Sequence, residues 1–325
     1  MKAISTHSRK GAHGFALLLA LGILVIVSSL GTAYVTYMTI ESEEVQVALW
    51  KRHADALAER AVTLARVDIA RSLTDGPVPE SLTYDQLVLF QVAPDEERPL
   101  AIDERYNGTA AVQIIDENAK LNLNYASVRL LQTILGVDGA TAREIRASLP
   151  RPGESPTEDR RWFLHVDELV TRGFLTRDQF SEVPKNLLTV YSSPSPDRPI
   201  RYINVNTAPP AILAAIFAVD IDTAKALAEA RPFDTPDALY AALEADPAQF
   251  NVASPEAAGE LPPALALTST TFRLRCEAGL ERLTGPEAEV VGRKHVEAIV
   301  QFAHGDGAGQ IISWRGVRGE DEPAS

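Results

Sequence analysis

Residues 13–44 read HGFALLLALGILVIVSSLGTAYVTYMTIESEE, and the fate of this stretch decides the fold. From Phe15 to Ile40 no residue is charged and none is proline. As an α-helix rising about 1.5 Å per residue, the run spans about 39 Å, more than the roughly 30 Å hydrocarbon core of a bilayer. A cleaved secretory signal has a shorter apolar core, about 7–15 residues, and exits through small side chains. Here the exit carries Tyr34, Tyr37 and Met38. Lys2, Arg9 and Lys10 precede the run and no acid appears before Glu41, which predicts a cytoplasmic N-terminus. The expectation is a retained single-pass anchor with the rest of the chain across the membrane. A plain signal anchor accounts for these features equally well.

The helix is not expected to stop at the membrane surface. Glu41, Glu43 and Glu44 mark the exit into water, and the next proline is Pro77. Between them Trp50, Ala54, Leu57, Ala61 and Leu64 recur at alternating spacings of four and three, a single stripe on a helix, while Glu59 and Arg60 fall off it. One helix from Phe15 to about Leu73 follows, broken by TDGPVPE at residues 74–80. Its outer half is expected to pack on its own head or on partner helices.

The middle of the chain repeats itself. LNLNYASVRLLQTILGVDGATAREI from Leu121 aligns without gaps on INVNTAPPAILAAIFAVDIDTAKAL from Ile203. Asn122, Asn124, Ala126 and Leu131 meet Asn204, Asn206, Ala208 and Leu213, and FLHVDEL at Phe163 echoes FDTPDAL at Phe233. Each copy reads as an Asn-rich turn, a helix, a short hairpin, a second helix and a further Asp-capped helix. The unit resembles the helix-hairpin-helix module, which grips nucleic-acid backbones through hairpin amides. Gly136 and Gly139 suit that role in the first copy, but FAVDID in the second has no glycine, and Asp138, Asp220 and Asp222 oppose an anion. The four asparagines are expected to hold turns by side-chain to backbone hydrogen bonds.

Around this helical block lie strand patterns. AAVQII near Ala110 leads into it; FRLRCEAGLE from Phe272, HVEAIVQFA from His295 and QIISWRG after the turn HGDGAG form an antiparallel meander. ASPEAAGELPPA at residues 253–264 reads as a surface linker. The fold class is α+β: a long N-terminal helix packed on an antiparallel sheet, with a large inserted all-α domain containing two helix-hairpin-helix-like repeats. The expected divisions are a leader over 1–14, the helix over 15–75, a first β part over 76–117, the helical insert over 118–250, the meander over 251–317 and a tail over 318–325.

The chain has 325 residues, 46% of them hydrophobic, and a net charge of −13, which disfavours binding to a phosphate backbone. Cys276 is the only cysteine, so an intramolecular disulfide is excluded. Its place in an alternating strand marks it as a small apolar residue rather than a nucleophile. The six histidines (His7, His13, His53, His165, His295 and His304) show no metal-ligand spacing, and neither a nucleophile elbow nor a P-loop occurs. No catalytic residue and no cofactor is assigned. Asp116 with Glu117, and Glu158 with Asp159, are the carboxylate pairs to weigh for calcium, against the simpler reading of solvated turns.

The basic leader ending at Gly14, with Phe15 opening the apolar run, resembles a class III prepilin leader, cut on the cytoplasmic side after glycine. Together with IIDENAKLNLNYAS, WFLHVDEL, VPKNLLTVYSS, INVNTAPPAILAAI and IISWRG, it makes nearly the whole chain similar to the K-type minor pseudopilins of type II secretion systems, the GspK family. The resemblance implies a pilin-like head and processing between Gly14 and Phe15 by prepilin peptidase, with methylation of the new terminus. It also implies assembly with I- and J-type minor pseudopilins, the major pseudopilin and an inner-membrane secretion platform, at the tip of a periplasmic pseudopilus. Most pilins carry glutamate at the fifth mature position; here it is Leu19, which suits a tip subunit. Relatives can hold calcium in the head, but the acidic stretch before WFLHVDEL is short in this chain. The rival readings are a membrane-anchored DNA-binding or DNA-uptake protein built on the two repeats, and a membrane-anchored enzyme with a dispersed site.

Overall fold

The computed structural model describes residues 10–75, 89–92, 106–150, 154–192, 203–244, 265–282, 289–302 and 309–317. Residues 1–9 of the leader, the linker at 253–264, residues 304–308 of the turn HGDGAG and the tail lie outside them. By compactness the chain divides into residues 1–53 and 54–325.

Helix α1 runs Lys10–Asp75. Within residues 17–53 its side chains meet almost nothing of this chain: Leu17 and Leu18 are each 70% exposed. Ser29, Thr32, Thr36 and Thr39 turn their hydroxyls back onto backbone carbonyls three or four residues earlier, so these four donors are satisfied within the helix itself. This is the single helix among the described residues long and apolar enough to cross a membrane; a lone anchor and a signal sequence both satisfy that test.

From Ala54 onward the character changes. Ala54, Leu57, Ala58, Ala61, Val62, Ala65 and Ile69 are buried, following the 3.6-residue period, while Glu59 and Arg60 are exposed. The alanines let the helix lie close to a five-stranded antiparallel sheet. Its strands are β1 (Leu89–Val92), β2 (Tyr106–Asp116), β7 (Thr271–Arg282), β8 (Glu289–Gln301) and β9 (Gln310–Val317), hydrogen-bonded in that order. Strand alternation sends Val112, Ile114, Leu274, Cys276, Ala278, Val296, Ala298 and Val300 to the buried face. Lys294 Nζ meets Asp55 Oδ1 at 2.6 Å, and Arg66 Nη2 donates to Gly309 O at 2.5 Å, tying α1 to both ends of that face. Gly309 has φ +62°, and a Cβ there would lie 2.6 Å from the Phe302 ring, so only glycine fits.

The sheet extends the expected meander in two ways. β8 starts at Glu289, ahead of the apolar alternation at His295, and β1 pairs with β2 as an edge strand that short LFQV does not announce. Between β2 and β7 the chain makes its helical excursion, in the order β3 (Leu121–Asn122), α2 (Val128–Leu135), α3 (Gly139–Ala147), α4 (Glu168–Thr171), α5 (Arg177–Glu182), β4 (Leu188–Thr189), β5 (Ile203–Asn204), α6 (Pro210–Phe217), α7 (Ile221–Glu229), α8 (Pro236–Ala242) and β6 (Leu265–Ala266). A core including Leu121, Leu131, Ile145, Phe163, Leu169, Ile203, Leu213, Leu227 and Phe233 holds these helices together.

Candidate functional site

Two regions carry the sequence expectations. The first is the start of α1. Gly14 and Phe15 lie inside the helix, whose backbone begins at Lys10, and Leu19 follows one turn later, 54% exposed. A scissile bond must be extended to enter a protease, so cutting at this junction would require the first two turns to unwind. Glycine lowers that cost by about 1 kcal/mol relative to alanine.

The second is a buried polar junction where the sheet meets the helical excursion. Asp116, Glu117, Asn118 and Lys120 are at most 7% exposed, which corrects the expectation of a solvated turn. Asp116 Oδ1 accepts from Asn118 N–H at 2.7 Å; its Oδ2 accepts from Thr207 Oγ1 at 2.5 Å and from the Ser269 hydroxyl. Burial pushes its pKa up to about 6, against the pull of those hydroxyl bonds. Glu117 Oε1 binds Lys120 Nζ at 2.6 Å and Arg273 Nε at 2.7 Å, and its Oε2 accepts from Thr189. Burial alone would raise the Glu117 pKa, but the two cations outweigh it and hold the carboxyl below its usual range. Arg273 continues to Glu297 at 2.9 Å, which also takes Arg275 at 3.1 Å and Arg315 at 2.6 Å on the outer sheet face. Glu117 and Glu297 are thus charge-paired and fasten sheet to excursion, while Asp116 is held by hydroxyls and an amide alone.

This junction does not fit calcium. Every carboxylate oxygen of Asp116 and Glu117 already accepts from the protein, and an ammonium sits where a cation would. Glu158 and Asp159 are exposed, and no group of three or more His, Cys, Asp or Glu gathers into a ligand set among the described residues. Cys276 is buried in β7, its thiol pushed up to about 12 by burial, which leaves no thiolate for chemistry at neutral pH.

The asparagines act as expected, and identically in the two copies. Asn122 Oδ1 accepts from Asn124 N–H, and Asn204 Oδ1 from Asn206 N–H, each at 2.9 Å. Asn124 clamps the backbone of Phe163, accepting at 2.7 Å and donating at 3.0 Å; Asn206 clamps Phe233 at 2.8 and 3.0 Å. Their other partners had no place in the sequence reading. Asn122 donates to Ser192 and Asn204 to Ser269, while Asn124 and Asn206 reach the carbonyls of Val190 and Leu267. Each copy thus closes on a later segment through a two-residue parallel bridge, β3 with β4 and β5 with β6. The spacing Leu-x-Val-x-Ser at 188–192 and Leu-x-Leu-x-Ser at 265–269 is the signal that would have found them.

The helix termini refine the repeat. Asp138 caps α3 through Thr141 N–H at 2.7 Å, and Asp220 caps α7 through Thr223 N–H at 2.9 Å, so both carboxylates occupy the amides that an anion would need. The further Asp-capped helix is corrected: Asp167 makes no capping bond at α4, where Glu168 takes the amides of Leu164 and His165 instead, and α8 is capped by Thr235.

Residues 203–258, beginning at the second asparagine motif, match the family described as type II secretion system (T2SS), protein K. No curated protein matches the chain. Among solved structures, it is similar to a chain of the GspK-GspI-GspJ complex from the enterotoxigenic Escherichia coli type 2 secretion system. The two are 14% identical over 87% of this chain and 99% of that one, with a TM-score of 0.47.

Proposed function

We propose that this protein is a minor pseudopilin of the K type, a non-enzymatic subunit that joins I- and J-type partners at the tip of a type II secretion pseudopilus. The observation that carries the reading is the family match over residues 203–258, which falls on the second Asn-rich closure. The exposed apolar half of α1 supports it: residues 17–40 offer leucine, isoleucine and valine with no burial in their own chain. That surface suits lipid before assembly and sister helices after it.

On this reading Lys2, Arg9 and Lys10 hold the N-terminus in the cytoplasm, prepilin peptidase cuts between Gly14 and Phe15, and the head lies in the periplasm. Leu19 in place of an acid spares a lone subunit a buried charge worth roughly 2.5–3.5 kcal/mol. N-terminal sequencing of the mature chain tests the processing step. With prepilin peptidase present the chain should begin at Phe15; a chain still beginning at Met1 overturns it. Co-purification of the full chain with I- and J-type pseudopilins tests the assembly, and failure of both to associate removes the function.

A further inference from the structure

The sheet ends on β9, which is hydrogen-bonded to β8 and has no strand on its other side among the described residues. β1 closes the opposite edge with four residues; β9 has eight and carries neither proline nor lysine. Natural sheet edges are blunted by brevity, by charge or by a bulge. The one charged side chain of β9, Arg315, is drawn back onto Glu297 instead of lying over the edge. The register shift opposite Ile299 and Val300 touches only the start of the strand, so residues 313–317 pair regularly with β8. Trp314 pairs with Ala298 on the face that α1 covers, yet it is 41% exposed, and Ile312 at the register shift is 42% exposed. A bare edge beside a half-exposed tryptophan is the kind of surface that strand addition covers.

On the other face Arg275 and Arg315 approach β8 from its two sides and meet on one carboxylate. Arg315 Nη2 lies 2.6 Å from Glu297 Oε1, and Arg275 Nε lies 3.1 Å from Glu297 Oε2. Glu297 is buried, whereas the side chains of Arg315 and Arg275 are 51% and 55% exposed. A guanidinium has five N–H donors and each of these bonds uses one, so both forks keep donors toward water. Arg273 shares Glu297 and passes on to Glu117, which also holds Lys120. Four cations therefore share two carboxylates. Glu277, 4.0 Å from His295, offsets one more charge, and the cluster stays net positive on a chain of charge −13. Arg275, Arg315, His295 and Glu277 border a hollow of about 500 Å³ that reaches Val317 at the end of β9.

We propose that β9 receives an extended segment of another protein as a sixth strand, with acidic side chains on the arginine face and apolar ones against Trp314. Side chains of a strand alternate between faces, so an acid–apolar alternation satisfies both faces at once. Cross-strand neighbours lie about 5 Å apart, which brings an acid opposite Arg315 within reach of its spare N–H groups. A second copy of this chain fits less well. Pairing β9 with β9 about a two-fold axis would carry both cationic clusters onto one side of the joined sheet, where like charges repel. The surface is independent of the pseudopilin reading.

Fluorescence anisotropy with the full chain in detergent micelles provides the test, with empty micelles as the blank. The labelled probes are a heptapeptide alternating glutamate with valine, the same peptide with lysine for glutamate, and the acidic peptide N-methylated along its backbone. The acidic peptide should bind saturably and the other two should not. Arg315→Gln and Trp314→Ala, both at exposed positions, should each weaken it severalfold with thermal unfolding unchanged. A further variant combines Glu320→Gln, Asp321→Asn and Glu322→Gln, the acids that follow β9 in sequence, and should bind the acidic peptide no more tightly than the native chain. Binding seen in that variant alone would make the chain's own acids the occupant, and dimerisation abolished by Trp314→Ala would make it a second copy; either overturns the proposal. So does absence of saturable binding, equal binding of the lysine or methylated peptide, or unchanged affinity in both Arg315→Gln and Trp314→Ala.

Discussion

Asp116 and Glu117 are neighbours in sequence, both buried, and their charges respond to burial in opposite senses. Two cations hold Glu117 ionised, whereas Asp116 has only hydroxyls and an amide, so its pKa rises from 3.8 to about 6. Between those values the folded chain keeps a proton that the unfolded chain has released. Stability from Asp116 is therefore complete at acid pH, declines as pH rises through this window and levels off above about 6. The loss amounts to about 3 kcal/mol at neutral pH. Asp116→Asn should remove that slope: in thermal unfolding from pH 4 to 7, the wild type should lose ground against the variant up to about pH 6 and no further. A parallel pH dependence in both proteins would refute the assignment. The sequence DEN could not reveal this asymmetry, because the deciding partners are remote. Thr207 is 91 residues from Asp116, and Arg273 is 156 from Glu117.

At the scale of elements, legibility follows length. The spacing of Trp50, Ala54, Leu57, Ala61 and Leu64 announces the buried face of α1 because many turns sum to one signal. The bridges β3–β4 and β5–β6 have two residues per strand, too few for any period, and depend on asparagine and serine hydrogen bonds instead. The helix ends give a sharper comparison. α2 terminates on Gly136 at φ 67°, as a left-handed cap should, whereas α6 ends on Ala218 at φ 54°. Ala218 is exposed, so its methyl group contributes strain without packing. Ala218→Gly should stabilise the fold by about 1 kcal/mol and Gly136→Ala should cost about as much, both read from urea unfolding at unchanged m-value. Destabilisation by Ala218→Gly would mean that the cap is not strained.

For the head as a whole, the governing fact is where the helical excursion leaves and rejoins the sheet. Asp116 lies opposite Phe272 in adjacent antiparallel strands. Glu117 N–H donates to Thr271 O at 3.0 Å, and Asn118 Oδ1 accepts from Thr270 and Thr271 N–H at 3.0 and 2.8 Å, so exit and return are stitched side by side. Pairing β2 with β7 across an unstructured excursion carries a large closure entropy, which a folded block reduces by holding its own ends together. In refolding followed by pulsed hydrogen exchange, amides of α2, α3, α6 and α7 should gain protection before those of β2 and β7. The reverse order would show the sheet nucleating first. During synthesis, then, β2 emerges long before its mate exists, with one edge satisfied at best by β1. An open edge is a template for adhesion to other chains, so nascent protein is most vulnerable to aggregation in the interval between making residue 116 and residue 271.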